Sequence, residues 1–242
     1  MSQRQAPHIR FQLGARLTLS SLGMAFVLAL GAGDASADPV TSIDPTAWIR
    51  HPQRSFSISA AEVPVQRFKA CVKAGACETA TVNPECNYGR DGRDAYPVNC
   101  VNFDGADQYC RWAGGRLCTE DEWIAACEGT EARPFPYGQS FDAEACNVHS
   151  NADAVAGQQY DTQPVGSVAT CQGGLPGLFD MAGNVGEWIN NCKDTYCKFR
   201  GAGYLSNDPI DHFSGCGGVC SGNQKTLMSN VVGIRCCRDE HD

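Results

Sequence analysis

Asp180 and Glu187 form the first pair in this 242-residue chain whose type and spacing could do chemistry. Two carboxylates seven residues apart, joined by Met181-Ala182-Gly183-Asn184, can converge with the intervening carbonyls into an all-oxygen cage suited to calcium. The plainer use of the same side chains is to cap turns or to pair with Arg116 or Arg235. The second set is the 15 cysteines. Their closest spacings are Cys71-x5-Cys77, Cys192-x4-Cys197, Cys216-x3-Cys220 and the adjacent Cys236-Cys237. None is a paired zinc-ribbon spacing, so no structural zinc is expected. His51, His149, His212 and His241 show no His-x-x-His or His-Glu pairing for an iron site. Ser206 has no nucleophile elbow around it, and Asp208 with His212 reads as a polar loop rather than part of a triad.

These groups must be carried by elements, and the elements start late. Residues 1–37 read as an export signal: Arg4, Arg10 and Arg16 give a positive start, an apolar run follows from Leu17 to Ala32, and Ala35-Ser36-Ala37 fits a small-x-small cleavage site. The run is too short to span a bilayer and contains Ser20, Ser21 and Gly23, so no membrane span is expected after cleavage. The mature chain is expected in the periplasm or secreted, where disulfides form; an odd cysteine count leaves at least one thiol unpaired. It would carry 16 basic against 26 acidic residues, about −10, which argues against nucleic acid and anionic membranes as partners. About 205 residues suit a single large domain, read here as a monomer with an extension at 38–54 and the domain proper at 55–242.

Within that domain, Phe56 to Val63 alternates like a strand. Pro64 suits the first position of a helix carrying Val65, Phe68, Cys71 and Val72, which Gly75 ends. Residues 77–97 read as a long loop held by Cys77 and Cys86. A second helix is predicted from about Asp104 to Ala113 with Asn102 or Asp104 as its cap, and Gly114-Gly115 stops it. A third begins at Thr119-x-x-Glu122, a capping box, with Trp123, Ala126 and Cys127 on one face. Beyond Gly129 no helix is predicted. That half is irregular and Gly-, Asn- and Pro-rich, and disulfides and bound cations would have to hold its loops.

Three stretches in order carry a resemblance. They run from Pro97-Val98-Asn99-Cys100 through Ala113-Gly114-Gly115-Arg116-Leu117 to Glu122-Trp123; over Gly177-Leu178-Phe179-Asp180-Met181-Ala182-Gly183-Asn184-Val185-Gly186-Glu187-Trp188; and over Gly233-Ile234-Arg235-Cys236. Together with Pro164-Val165-Gly166-Ser167, they resemble the sulfatase-modifying-factor, or formylglycine-generating enzyme, family over nearly the whole mature chain. The resemblance implies an α+β, irregular C-type-lectin-like fold with few short helices and strands, long loops and several disulfides. The family's usual aromatic-Ile-Pro-Gly-Gly opening strand is absent from Thr41 to Ser55.

The same resemblance implies site residues. One calcium would take the side chains of Asp180 and Glu187 and the carbonyls of Gly183 and Val185. A second would take Asn147, the Val148 carbonyl and Asp161, or else Asp153. Cys110 would pair with Cys236 and Cys127 with Cys220, while Cys146 and Cys171 would close an insertion. Enzymes of the family oxidise a substrate cysteine to formylglycine with oxygen and a copper(I) held by two thiolates, soft ligands that select that ion. Here the first copper cysteine is replaced by Ser206, the assisting serine by Gly203, and a tryptophan by Gly186. Cys216 is the candidate for the second thiolate, set against Cys220 or Cys192, unless it forms a structural disulfide. The sequence therefore predicts a degenerate, calcium-stabilised module binding an exported protein, peptide or glycan. The rival is an active copper-dependent oxidase using Cys216 and Cys220.

Overall fold

The computed structural model describes residues 44–151, 157–206, 210–218 and 220–240. The export signal and Asp153 lie outside them. The first sheet has the order β1-β2-β10-β3, with β1 at Trp48–Arg50, β2 at Phe56–Ser59, β3 at Arg116–Leu117 and β10 at Cys236–Asp239, all antiparallel. Strand β1 therefore comes from the stretch the sequence assigns to an extension; its register sets Ile49 opposite Ile58. The chain's last strand lies between two early ones, which brings Cys236 and Cys237 into the core.

The three predicted helices form with their expected caps. Helix α1 spans Val65–Lys73 after Pro64, whose φ of −76° suits helix entry, although the proline stands one place before the helix rather than in it. Helix α2, Phe103–Trp112, is capped by the Asn102 side chain, which accepts from the Gly105 N–H at 2.8 Å. Helix α3, Glu120–Glu128, opens with the Thr119/Glu122 capping box closed in both directions. Helices α1 and α2 bury Phe68, Cys71, Tyr109 and Cys110 in a core shared with Leu117, Trp188 and Ile234. Helix α3 packs Trp123, Ala126 and Cys127 into a neighbouring core with Phe56, Ile58, Leu178, Met181 and Ile189.

The second half is more regular than its composition suggests. Strands β5 (Gly186–Lys193) and β6 (Tyr196–Arg200) make a hairpin, flanked by β8 (Ser221–Gln224) and by β9 (Val232–Gly233) parallel to β5. Ile189-Asn190-Asn191-Cys192-Lys193 has weak strand character by residue type; pairing and the Cys192–Cys197 bridge across the Asp194 turn make it one. Strands β4 (His149–Ser150) and β7 (Leu205–Ser206) form a short parallel pair, and helix α4 (Ile210–Ser214) appears where no helix was predicted.

Seven disulfides use 14 of the 15 cysteines. Cys77 and Cys86, read as holding one loop together, instead bond Cys71 and Cys100. Cys118, the residue after β3, bonds Cys237 of β10 beside Cys110–Cys236, two bridges that the adjacent cysteines direct to opposite sides of one strand. Bridges in this number are what an oxidising, exported setting produces. No helix among the described residues is long and apolar enough to cross a membrane.

Candidate functional site

Asp180, Gly183 and Asn184 turn the chain with φ of 57°, 82° and 57°, left-handed values that Gly, Asn and Asp tolerate best. Gly183 is required for a second reason: a Cβ there would stand 2.4 Å from the Asn147 carbonyl. That carbonyl accepts from the Asn184 N–H at 2.8 Å, and Asn147 Nδ2 donates to Asn184 Oδ1 at 3.3 Å. The turn is thereby docked on the Asn147 segment, so the two regions predicted to hold cations lie side by side.

Below the turn is a buried ionic centre. Glu187 Oε1 accepts from Arg235 Nε at 2.7 Å and Oε2 from Trp123 Nε1 at 2.5 Å. Arg235 Nη1 and Nη2 donate to the carbonyls of Ser59 and Phe179 at 2.8 and 2.7 Å. Of the two arginines the sequence offered, Arg235 pairs with Glu187, while Arg116 clamps Glu122 of the capping box. Asp180 Oδ2 accepts from the Gly166 N–H at 2.6 Å. A third carboxylate, Glu62, was missed by the sequence reading. It is fully buried and accepts from Asn184 Nδ2 at 2.6 Å and the Val185 N–H at 2.8 Å. The available clue was one acid inside the apolar run from Phe56 to Val65.

Three buried carboxylates share this space with one guanidinium. Burial pushes Asp180 up to about 6, and the Glu187 charge adds to that rise against the pull of the Gly166 N–H and Arg235. Burial likewise raises Glu187, against Arg235 and the Trp123 N–H. Glu62 is driven well above the usual carboxylate range by burial and by the charges of Asp180 and Glu187. With all three ionised, the centre carries two excess negative charges, and its donors are hard oxygens, so the chemistry fits a divalent hard cation. The carboxylates do not converge on one point: among the described residues no three acidic, histidine or cysteine side chains stand as a ready cage. A cation here would rest on two carboxylates and nearby carbonyls.

The second predicted set fits a cation less well. Asp161 turns its carboxylate onto Arg93 at 2.5 Å and Arg90 at 3.8 Å, and meets Asn147 only through its own carbonyl, which accepts from Asn147 Nδ2 at 3.1 Å. Val148 is buried beside them, its Cβ facing Gly183.

Two positions of the expected oxidation chemistry, Gly203 and Ser206, line a cavity of about 360 Å³ with Phe199, Ala202, Ser221 and Asn230, and no described residue on its wall is charged. Ser206 Oγ accepts from the Gly203 N–H at 3.2 Å. A Cβ on Gly203 would lie 2.7 Å from Val231 Cβ and 2.8 Å from its carbonyl oxygen, so a serine does not fit there without backbone movement. At Gly186 a Cβ would press on the Phe199 ring at 3.1 Å, so a side chain there requires that ring to give way. The cysteine expectations need correction. Cys127 is bonded to Cys216, not to Cys220, so Cys216 has no thiol to offer a metal. Cys220 is the free cysteine, half-buried, with its thiol near the Phe199 carbonyl at 3.5 Å. Burial pushes that thiol up and Glu120 adds to the rise, while Arg200 opposes it. Cys192, the other partner considered for Cys216, is bonded to Cys197.

Short helices, two four-stranded sheets, long docked loops and seven bridges define a disulfide-bonded α+β domain of the irregular, C-type-lectin-like kind. Residues 25–240 match the sulfatase-modifying factor enzyme 1-like domain, and the chain belongs to that family. The bovine inactive C-alpha-formylglycine-generating enzyme 2 is 33% identical over 151 residues, covering 58% of this chain and 50% of that protein. The Streptomyces coelicolor formylglycine-generating enzyme is 29% identical over 179 residues, 57% of this chain and 56% of the enzyme. The Chlamydia caviae serine/threonine-protein kinase pkn1 is 38% identical over 106 residues, 43% of this chain but only 15% of the kinase. The chain thus spans about half the length of the first two and a small part of the third. Among solved structures, PvdO from Pseudomonas aeruginosa superposes with a TM-score of 0.57 at 23% identity, covering 76% of this chain and 80% of that one. At that identity the likeness is one of fold.

Proposed function

We propose that this chain is an exported binding module of the formylglycine-generating fold that no longer generates formylglycine, stabilised by calcium at Asp180 and Glu187. The observation that carries the reading is the loss of the thiolate pair: Ser206 stands at one position and Cys216 is committed to Cys127. Gly203 supports it, because Val231 occupies the space a serine side chain would need there, and Gly186 supplies no indole. What remains at the former reaction centre is a cavity with amide and hydroxyl groups and one aromatic wall, suited to an uncharged stretch of peptide or glycan. When bound, calcium would supply charge compensation; Asp180 and Glu187 would hold it with the carbonyls of Gly183 and Val185, and Glu62 and Arg235 would set the charge around it.

The test uses the mature protein with copper(I), oxygen and a peptide carrying Cys-x-Pro-x-Arg, read by mass spectrometry for conversion of cysteine to the aldehyde. No conversion is expected. Turnover that disappears in Cys216→Ser or Cys220→Ser would replace the binding reading with the oxidase one.

A further inference from the structure

A second cavity, of about 590 Å³, lies on other residues: Glu128 at the end of α3, Ala132, Pro134 and Phe135 after it, and Asp211 with the glycine-rich segment beyond α4. We infer that this cavity binds a cationic side chain, an arginine or lysine of a partner peptide or protein. The inference stands apart from the proposed use of the Ser206 cavity.

Its charge is one-sided. Glu128 and Asp211 have no ion-pair partner among the described residues, unlike Glu120 and Glu122 of the same helix, which are held by Arg200 and Arg116. Arg133, between two lining residues in sequence, does not neutralise them: it donates to the Gly174 carbonyl at 3.0 Å and pairs with Glu131 at 3.6 Å. The exposed His212 lines the same cavity.

An independent observation points the same way. Glu128 is the last residue of α3, whose final turn holds no basic residue. A carboxylate there adds to the negative end of the helix dipole, which a cation would relieve. The first turn of α3 is arranged in the favourable sense, with Glu120, Asp121 and Glu122.

The walls are shaped for a stem with a charged tip. Phe135 stacks on Tyr137 with centroids 5.6 Å apart and touches Phe141 at 5.9 Å, so its ring is held in place. Glycines leave the floor bare: a Cβ on Gly215 would lie 3.6 Å from the Phe135 ring, and one on Gly217 would lie 3.9 Å from Glu128 Oε1. Ring and carboxylate thus face the same glycine floor. The Cys127–Cys216 bridge, the Cys216 N–H bond to the Pro134 carbonyl at 2.8 Å, and Arg200 bonds to the carbonyls of Cys216 and Gly218 at 3.3 and 3.1 Å hold that floor. A guanidinium or ammonium entering here meets carboxylates for charge and an aromatic face for cation–π contact, while its methylenes cover Ala132 and Pro134.

The test is calorimetric titration of the whole mature chain with acetyl-Gly-Arg-Gly-amide, its lysine counterpart, and the citrulline peptide, which keeps the arginine shape without the charge. The arginine peptide is expected to bind, with affinity falling about tenfold or more for citrulline, for Glu128→Gln/Asp211→Asn, and on raising salt from roughly 0.05 to 0.5 M. Phe135→Leu, which keeps both charges, should weaken it less. Equal binding of arginine and citrulline peptides, no binding of the arginine peptide up to millimolar concentration, or undiminished binding by a double variant with an unchanged melting temperature would each overturn the inference. The citrulline comparison needs no variant, so a folding defect cannot obscure the result.

Discussion

Gly203 shows how much a single absent side chain can decide. The Val231 backbone and side chain occupy the space that a Cβ would take, so the strand pairing that brings residues 231–233 against β5 also closes this position. Gly203→Ser is expected to cost about 1–3 kcal/mol by overpacking. A shift of the denaturant midpoint at constant m measures it, and a Gly203→Ser chain as stable as the parent would mean the position was open to the serine all along. Glu62 and Glu187 make the complementary point. Their neighbours are donors from segments distant in sequence, Asn184 and Val185 for one, Arg235 and Trp123 for the other, so neither carboxylate is left without hydrogen bonds despite full burial.

Among the elements, α3 carries the most. Its capping box fixes where it begins, its inner face supplies Trp123 to Glu187 and Cys127 to Cys216, and its last residue opens onto the larger cavity. Burial alone would raise the Glu122 carboxyl, but the two Arg116 bonds at 2.7 Å and the Thr119 N–H outweigh it and hold it below its ordinary value. Because the folded value lies below the unfolded one, this contribution is full above about pH 4.3 and is lost as pH falls through the folded value. Glu122→Gln should therefore flatten the acid limb of a melting-temperature profile between about pH 5 and 2. An unaltered limb would show that the box carries no such charge-dependent stability.

For the molecule as a whole, the ionic centre ties β2, the Gly183 turn, β5 and the segment before β10 to one another, and the grouping of three buried carboxylates beside a single guanidinium is the reason to expect a cation. Calcium at 100 times its dissociation constant would add about 2.7 kcal/mol. The melting temperature should rise with millimolar calcium, fall with chelator, and cease to respond in Asp180→Asn. A parent chain indifferent to both would remove calcium from the account.

What the sequence determined by itself was local or chemical in kind. The caps at Asn102 and Thr119, the glycine stops and the Asp180–Asn184 turn follow from short-range rules that act on neighbours in the chain, while the three altered reaction positions were legible only through the family resemblance. The fold class was legible through the motifs that carry it. Strand β1 and the β5–β6 hairpin were not, because Trp48-Ile49 and Tyr196 to Phe199 suit strands by type but in runs too short to declare themselves, and Asn190 to Lys193 do not, so all become strands only when partners arrive. Nor could spacing say whether Cys127 takes Cys216 or Cys220, four residues apart on one loop, or reveal that Glu62 joins Asp180 and Glu187 from more than 100 residues away. Bridges and buried charges are settled by distance through the core, and only the tertiary structure brings those groups within reach.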